Sequence, residues 1–260
     1  MGMHNHELRL ERAAEHLRNL DVQVRDWLEE AYRYDAELDP LSGKKHIRMK
    51  VLNPPPARLR PIIGDCLHNL RSALDNLAYE LAVAHQGGPL PEPFDRRSEF
   101  PLFGERPMRT DERKNKIGCI LPRAQVIIKR LQPYRRGERY TLHLLWQLHQ
   151  LSNFDKHRLP HITLLANVAG SYFPNSPTRP PDLEVSLGPV EDGAVVGSYT
   201  PPPDEPVDVV KTHFNFLDGL MLAQETPTPT RDVRSVLKSI LNHIRKDVLP
   251  PLAQYSPDPH

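Results

Sequence analysis

The residue types most suited to chemistry lie on one face of a helix predicted over residues 61–85. Five polar residues follow one another at spacings of three and four: Asp65, His68, Ser72, Asp75 and Tyr79. Such spacings place side chains on the same face of a helix. Solvent-facing helical positions usually carry Glu and Lys, whereas Asp, Ser and His are poorer helix formers. We therefore expect this face to contact something specific.

A second concentration of polar residues is the string SNFDKHR at positions 152–158, which ends a leucine-rich helix. The helical rotation places Asp155 on the leucine face of that helix. A carboxylate that faces a core needs a cation or a hydrogen-bond donor, because leaving it unpaired is costly. We expect Arg71 to be that partner, with Arg158 or His68 as alternatives. One polar cluster then fixes helix to helix: Asp65, His68, Ser72, Asp75 and Asp155.

Both regions are similar to strings found in a group of uncharacterised bacterial proteins. LHNLRSALD at positions 67–75 and NxDKHR at positions 153–158 occur together in that group. The resemblance carries no activity, because none is attached to the group.

The second string also resembles, more loosely, the signature of the HEPN superfamily of helical-bundle ribonucleases and nucleotide-binding modules. That signature is an Arg, usually followed by a polar residue, with a His a few positions later near a helix end. Asn153 and His157 match the polar residue and the His, while Ser152 stands at the position of the Arg. The resemblance implies that His157 acts as the acid and base of RNA cleavage, with Asn153 beside it. Arg71 or Arg136 would steady the phosphate.

Positive charge is concentrated in one segment of an almost neutral chain. Residues 106–139 hold eleven Lys and Arg against three acidic residues, a net charge of +8, whereas the whole chain carries +1. Such a segment is a candidate phosphate-binding surface, and single-stranded nucleic acid is the partner it favours. The candidate phosphate-binding residues are Arg130, Arg135, Arg136 and Arg139. The alternative is internal pairing with the acidic segments 7–39 and 182–208.

The elements that position these residues follow from the apolar pattern. A heptad-like seam over residues 8–38 predicts one long helix, which either packs into the bundle of its own domain or forms a dimerising coiled coil. Further helices are expected over 61–85, 122–132, 139–157 and 231–249. Strands are expected at 47–51, 161–168, 183–187, 195–199 and 207–216, and a surface loop at 89–110.

This order of elements predicts an α+β fold. We expect a helical bundle, made of the long N-terminal helix and three to four further helices, packed with an antiparallel sheet of about five strands. The chain is expected to form a single domain over residues 1–260, mainly helical in 1–160, rich in strands in 161–217, and closed by the C-terminal helix 231–249.

Composition disfavours several classes of protein. The mean hydropathy is −0.54, and no apolar run approaches the roughly 18 residues that a membrane span needs. The first residues contain no apolar signal core, so we expect a cytoplasmic protein without a membrane partner. The P-loop, G-x-G-x-x-G, G-x-S-x-G and H-E-x-x-H motifs are missing. We expect no cofactor.

Metal and thiol chemistry receive little support from the sequence. Cys66 and Cys119 fit small core residues better than a disulfide scaffold or a zinc site. We expect no metal; the less favoured alternative is a metal held in the bundle by Asp65-x-x-His68 and Asp155-x-His157. His4 and His6 are expected to be disordered.

Two hypotheses for function remain, and the sequence leaves open whether the chain is an enzyme. The favoured one is a non-catalytic interaction or structural module, whose polar cluster locks helix to helix and whose N-terminal helix contacts a partner or a second copy. The alternative is a HEPN-like nucleic-acid-binding protein or ribonuclease with His157, Arg71 and Asn153 as its catalytic residues.

Overall fold

Two long helices, α1 (Asn5–Ala31) and α2 (Leu59–Gln86), pack against each other through their apolar faces. The computed structural model describes residues 3–105, 116–157, 162–166, 182–185, 188–201, 219–222 and 231–256. The buried positions of α1 recur at helical spacing and include Leu10, Leu17, Leu20, Val24 and Trp27. The facing stripe of α2 includes Ile63, Leu67, Leu70, Leu74 and Leu77. The heptad-like seam is therefore covered within the chain, as the bundle interpretation predicts.

The predicted helix over 8–38 is wrong at its carboxyl end. Residues after Ala31 form a strand, β1 (Tyr32–Leu38), which pairs antiparallel with β2 (Lys45–Val51). Tyr34 lies opposite Met49, so an aromatic side chain and a long apolar one meet across the pair, a combination that stabilises sheets. Leu38 completes the helical seam in the sequence but is exposed in the strand.

The amino end of α1 also differs from the prediction. The backbone N–H of His4 donates to the carboxylate of Glu7 at 3.1 Å, which is typical of a helix start. His6 lies in the first turn, and only 5% of it is exposed. The expected disorder of His4 and His6 is therefore wrong.

Shorter helices pack around this pair. They are α3 (Phe94–Arg97), α4 (Pro122–Arg130), α5 (Leu144–His157), α6 (Val233–His243) and α7 (Leu249–Ala253). A 3-10 helix (Pro133–Leu142) separates α4 from α5, and a π-helical turn (Ile244–Val248) joins α6 to α7. Asp232 caps α6 by accepting the N–H of Ser235 at 3.2 Å. The helices predicted over 122–132, 139–157 and 231–249 are thus present with shifted ends.

The strands form two antiparallel sheets, not the single sheet of about five strands that the sequence predicts. The first has the order β1-β2-β6-β4, with β4 (Glu184–Val185) and β6 (Val195–Tyr199). The second has the order β5-β3-β7, with β3 (Ile162–Ala166), β5 (Gly188–Pro189) and β7 (Gly219–Leu222). The strand predicted over 207–216 lies outside the described residues.

The described part of the chain is therefore α+β, with a long N-terminal helix, further helices and antiparallel sheets. None of its helices combines the length and the apolarity needed to cross a membrane. The assignment of the whole chain to one domain stays a prediction.

Candidate functional site

The two strings singled out in the sequence meet at one cavity of about 180 Å³. α2 contributes Arg71 and Asp75, and α5 contributes His149, Ser152 and Asn153. Glu99, Leu102 and Lys116 complete the lining from the segments between these helices. The cavity is therefore polar and lies where α2 approaches α5.

Arg71 and Asp75 form the best-connected pair in the lining. Arg71 donates from Nε to Oδ2 of Asp75 at 3.0 Å and from Nη2 to Oδ1 at 2.7 Å. Such two-pronged pairing is the geometry that a guanidinium and a carboxylate prefer. The two residues are four positions apart on α2, so the helix itself holds them in register.

The same pair binds both backbone groups of Phe100. Nη2 of Arg71 donates to the Phe100 carbonyl oxygen at 2.9 Å, and Oδ1 of Asp75 accepts the Phe100 N–H at 3.1 Å. The Phe100 side chain is fully buried, so these bonds satisfy backbone groups that would otherwise enter the core unpaired. The pair thus anchors the segment after α3 to α2.

A second ion pair closes the other side of the cavity. Lys116 Nζ pairs with Oε1 of Glu99 and also lies 5.6 Å from the centre of the Phe103 ring. Glu99 Oε2 is 3.8 Å from Nη2 of Arg71. Two cations and two carboxylates therefore share the cavity wall, and their formal charges cancel.

Arg71 keeps one uncommitted donor in this arrangement. Its Nη1 is buried and has no hydrogen-bond partner within the described residues. The side chain as a whole is only 13% exposed. An unpaired buried N–H is unfavourable, so Nη1 is the cavity atom most suited to donate to a guest oxygen.

α5 supplies three polar side chains to the cavity: His149, Ser152 and Asn153. Asn153 Nδ2 lies 3.1 Å from His149 Nε2, one helical turn away, and the His149 ring centre is 5.2 Å from that of Trp146. Ser152 is buried. An imidazole, an amide and a hydroxyl therefore face the Arg71–Asp75 pair across the cavity.

The predicted Arg71–Asp155 ion pair is wrong. Within the described part of the chain, Arg71 pairs with Asp75 and Glu99. Asp155 instead lies against Gly64, where a β-carbon would come within 2.8 Å of its Oδ1 atom. The missing side chain of Gly64 leaves room for this carboxylate at the contact between α2 and α5.

The charged neighbours of Asp155 are Asp65 and His68, two other residues of the predicted polar cluster. Burial raises the pKa of the Asp155 carboxyl, the Asp65 carboxylate raises it further, and His68 acts in the opposite direction. His68, one of the two alternative partners, thus lies close enough to Asp155 to affect its pKa. Ser72 Oγ lies 3.4 Å from Nε2 of His68. The polar cluster therefore divides into Asp65, His68, Ser72 and Asp155 on one side and the Arg71–Asp75 pair on the other.

Burial also raises the pKa of the Asp75 carboxyl above its usual value. The Arg71 guanidinium and the Phe100 N–H act against that rise. The carboxylate is thus held between desolvation, which disfavours its charge, and three donors that favour it.

Two of the three predicted catalytic residues, Arg71, Asn153 and His157, lie together in the structure. Arg71 and Asn153 line the same cavity. His157 is the last residue of α5, but its side chain lies outside the described residues. Sequence reasoning missed His149 and Glu99. The spacing of four between His149 and Asn153 could have identified His149, whereas nothing in the sequence connects Glu99 with α2.

The candidate phosphate-binding arginines lie on the surface. Arg130, at the end of α4, and Arg135, Arg136 and Arg139, in the 3-10 helix, are all exposed. None of the four forms an ion pair within residues 3–105, 116–157 and the other described ranges. Residues 106–115 of the basic segment lie outside the described residues. For these four arginines, the predicted internal pairing with acidic segments is therefore not found in the described part.

Thiol chemistry is not a feature of the site. Cys66 and Cys119 are free and buried, which confirms them as core residues. Burial raises the pKa of the Cys66 thiol to about 12, so its reactive thiolate form is disfavoured.

The metal alternative does not assemble at this site either. Within the described residues, the group of side chains close enough to share an ion is His4, His6 and Glu80, away from this cavity. Asp65, His68 and Asp155 do not form such a group there.

No known protein family matches the chain, and no curated protein or solved structure matches it. The fold and the site define an α+β protein with a polar cavity between two helices. Exposed arginines lie in the segment that precedes the second of these helices.

Proposed function

We propose that the chain is a non-catalytic interaction module that binds single-stranded nucleic acid through Arg130, Arg135, Arg136 and Arg139. The observation that carries this proposal is that all four arginines are exposed and lack ion pairs in the described part of the chain. Unpaired surface guanidinium groups bind phosphates by releasing the counterions of the nucleic acid.

The charge balance around these arginines favours an anionic partner. Between residues 116 and 139 the chain carries seven Lys and Arg against one acidic residue, Glu138, a net charge of +6. Tyr134 and Tyr140 are half-buried, and the Tyr140 ring meets the Trp146 ring at 5.2 Å. Base stacking is therefore a smaller contribution here than contact with phosphates.

The polar cavity has a structural role in this proposal. Its two cations are matched by two carboxylates, and Arg71 and Asp75 also bind the backbone of Phe100. The Arg71–Asp75 pair positions the segment around Phe100, which precedes the basic segment in the sequence. Stability and binding are therefore expected to depend on different residues.

The test is binding of a fluorescein-labelled single-stranded RNA, followed by anisotropy at several salt concentrations. Four phosphate contacts give a slope of log K against log salt of about −2.8, so affinity should fall about 50-fold between 50 and 200 mM salt. In the double variant Arg135→Gln/Arg136→Gln the slope should be about −1.4, and the same salt change should cost only about sevenfold.

A matched control is available on α1. Arg12→Gln/Arg25→Gln removes the same charge from two exposed arginines that already pair with Glu15 and Asp26. This control should keep the slope of the unmodified protein. Equal slopes for the two double variants, or no binding at the lowest salt, would eliminate the proposed surface.

A second candidate function is HEPN-like RNA cleavage, favoured by the cavity itself. Arg71 Nη1 is a buried donor without a partner in the described part, and His149 and Asn153 line the same cavity. A donor for phosphate and an imidazole for proton transfer are the groups that such cleavage needs.

Cleavage of the labelled RNA in the binding samples tests this candidate. His157→Ala should abolish cleavage if the sequence resemblance identifies the acid and base, and His149→Ala should do so if the cavity does. Cleavage that persists at full rate in both variants would reject the ribonuclease candidate. Binding of RNA without cleavage by the unmodified protein would support the non-catalytic interaction module instead.

A further inference from the structure

The amino-terminal end of α1 and the second half of α2 bring together two histidines and a glutamate that the proposed function does not use. One possible ligand atom from each of His4, His6 and Glu80 lies within 4.8 Å of the other two. We propose that these three side chains form a binding site for a divalent transition-metal ion, with Zn²⁺ as the best fit.

The distances in the cluster suit a shared ion. Nδ1 of His4 lies 3.7 Å from Oε2 of Glu80, which is too long for a hydrogen bond. Two ligand atoms bound tetrahedrally to one Zn²⁺ at about 2.0–2.1 Å are about 3.3–3.4 Å apart. His4 and Glu80 thus already stand close to the separation that a bridging ion requires.

His6 reaches the same carboxylate oxygen from the other side. Its Nδ1 lies 2.5 Å from Oε2 of Glu80, and its backbone N–H donates to Oε1 at 3.2 Å. In the metal-free protein the proton of a hydrogen bond lies between this nitrogen and Oε2. An entering ion replaces that proton, and the two atoms must separate by about 0.8 Å to reach the zinc geometry.

Burial makes a cation favourable at this place. The side chains of His6, Glu80 and His4 are only 6%, 12% and 16% exposed. In the described residues, Glu80 pairs with these two histidines and with no Lys or Arg. The partners of this buried carboxylate are thus two imidazoles, and neither Lys nor Arg supplies a permanent counter-charge beside it in the described residues. A divalent ion supplies that charge.

The ligand types select the metal. Imidazole nitrogen with one carboxylate suits Zn²⁺ and neighbouring transition metals, whereas Mg²⁺ and Ca²⁺ prefer shells of oxygen. Three protein ligands leave a fourth position for water or another group. The ion would also fasten the start of α1 to α2, because His4 and His6 belong to one helix end and Glu80 to the other helix.

The experiment is a calorimetric titration of the metal-stripped protein with Zn²⁺ at about pH 7.5, where imidazoles are deprotonated. Mg²⁺ serves as the competing hard cation, and Co²⁺ is added separately to record its visible absorption. The variants are His4→Ala and Glu80→Gln. The control is His85→Ala, which removes an exposed histidine from the same helix, α2.

We expect one Zn²⁺ per chain, no response to Mg²⁺, and Co²⁺ absorption typical of low coordination number. Loss of a direct ligand should weaken Zn²⁺ binding by at least the roughly 10–100-fold that loss of an outer partner costs. Binding in His85→Ala should stay unchanged. Glu80→Gln keeps the side-chain shape, and His4 precedes the helix, so far-UV circular dichroism should stay native in both.

Two results would overturn the proposal. One is the absence of stoichiometric Zn²⁺ binding by the unmodified protein. The other is Zn²⁺ binding that His4→Ala and Glu80→Gln leave intact, since the ion would then lie elsewhere. If Glu80→Gln unfolds, His4→Ala alone decides the question, because His4 precedes the first residue of α1.

Discussion

Replacing Gly64 with alanine tests a close contact between α2 and α5. In an open helix interior this change stabilises by about 1 kcal/mol, because alanine favours the helix. Here the new β-carbon would lie 2.8, 3.0 and 3.2 Å from Oδ1, Oδ2 and Cγ of Asp155. The entire carboxyl group must therefore move, and overpacking of this kind costs about 1–3 kcal/mol. We expect Gly64→Ala to destabilise the protein by about 1 kcal/mol.

The same change should have the opposite sign once the carboxyl group is absent. In an Asp155→Ala background the β-carbon meets no carboxyl, so Gly64→Ala should stabilise by up to about 1 kcal/mol. The double-mutant cycle then gives a coupling energy of about 2 kcal/mol, within the range for residues in contact.

Urea unfolding of the four proteins in this cycle measures the coupling. Gly88→Ala is the matched control, because a β-carbon at Gly88 meets no atom within 4 Å and its effect should not depend on Asp155. If Gly64→Ala changes the free energy of unfolding equally in both backgrounds, within about 0.5 kcal/mol, Asp155 does not occupy the space beside Gly64.

Three further predictions concern the charged groups. Arg71→Ala should lower the free energy of unfolding in urea by about 3 kcal/mol, because it removes the Arg71 donor from the Asp75 carboxylate and the Phe100 carbonyl. The control Arg135→Ala should lower it by less than about 0.5 kcal/mol, and an equally small loss for Arg71→Ala would contradict the anchoring role of Arg71. The raised pKa of Asp155 means that ionisation of its carboxyl group destabilises the folded protein. Asp155→Asn should therefore stabilise the protein by up to about 1 kcal/mol at pH 7. In thermal unfolding this stabilisation should shrink as the pH falls, because the carboxyl group of the unmodified protein becomes protonated. Burial lowers the pKa of His143 from its usual 6.5 to about 4, so on acidification the unfolded chain binds a proton before the folded one, and the free energy of unfolding should fall by roughly 3 kcal/mol between these pH values. His143→Asn keeps an acceptor for the Leu145 N–H and should remove this pH dependence. A variant with the same pH profile as the unmodified protein would contradict the assignment to His143.

The helices could be predicted from the sequence because their apolar spacing is strong. Their ends could not, as residues 32–38 illustrate. Tyr34 and Leu38 continue the seam of α1 at helical spacing, yet the same residues also pair across a strand with Met49 and Lys45. Spacing alone does not decide between these states, because the partner strand β2 is a tertiary neighbour.

The candidate site shows the same limit at the level of single residues. The polar types on α2 correctly marked a face with specific contacts. Their partners were mispredicted because the two hydrogen bonds that the Arg71–Asp75 pair makes outside α2 go to backbone atoms of Phe100. Backbone atoms have no signature in a side-chain pattern. The room for Asp155 comes from a glycine, whose contribution is an absent side chain. Neither kind of partner can be recognised by matching opposite charges.

The geometry of Arg71 also separates the two candidate functions. Nε and Nη2 already donate to Asp75 and Phe100, so a phosphate entering the cavity finds Nη1 as the donor free within the described residues. Recruiting the other nitrogens would break a largely buried ion pair and release Phe100, at a cost of about 3–5 kcal/mol. Catalysis that uses more of Arg71 than Nη1 would therefore require the segment around Phe100 to move. A ribonuclease of this kind should lose the protection of the Phe100 amide from hydrogen exchange when RNA is added. A binding module that uses the exposed arginines should keep it, because RNA then occupies a surface that shares no hydrogen bond with Arg71.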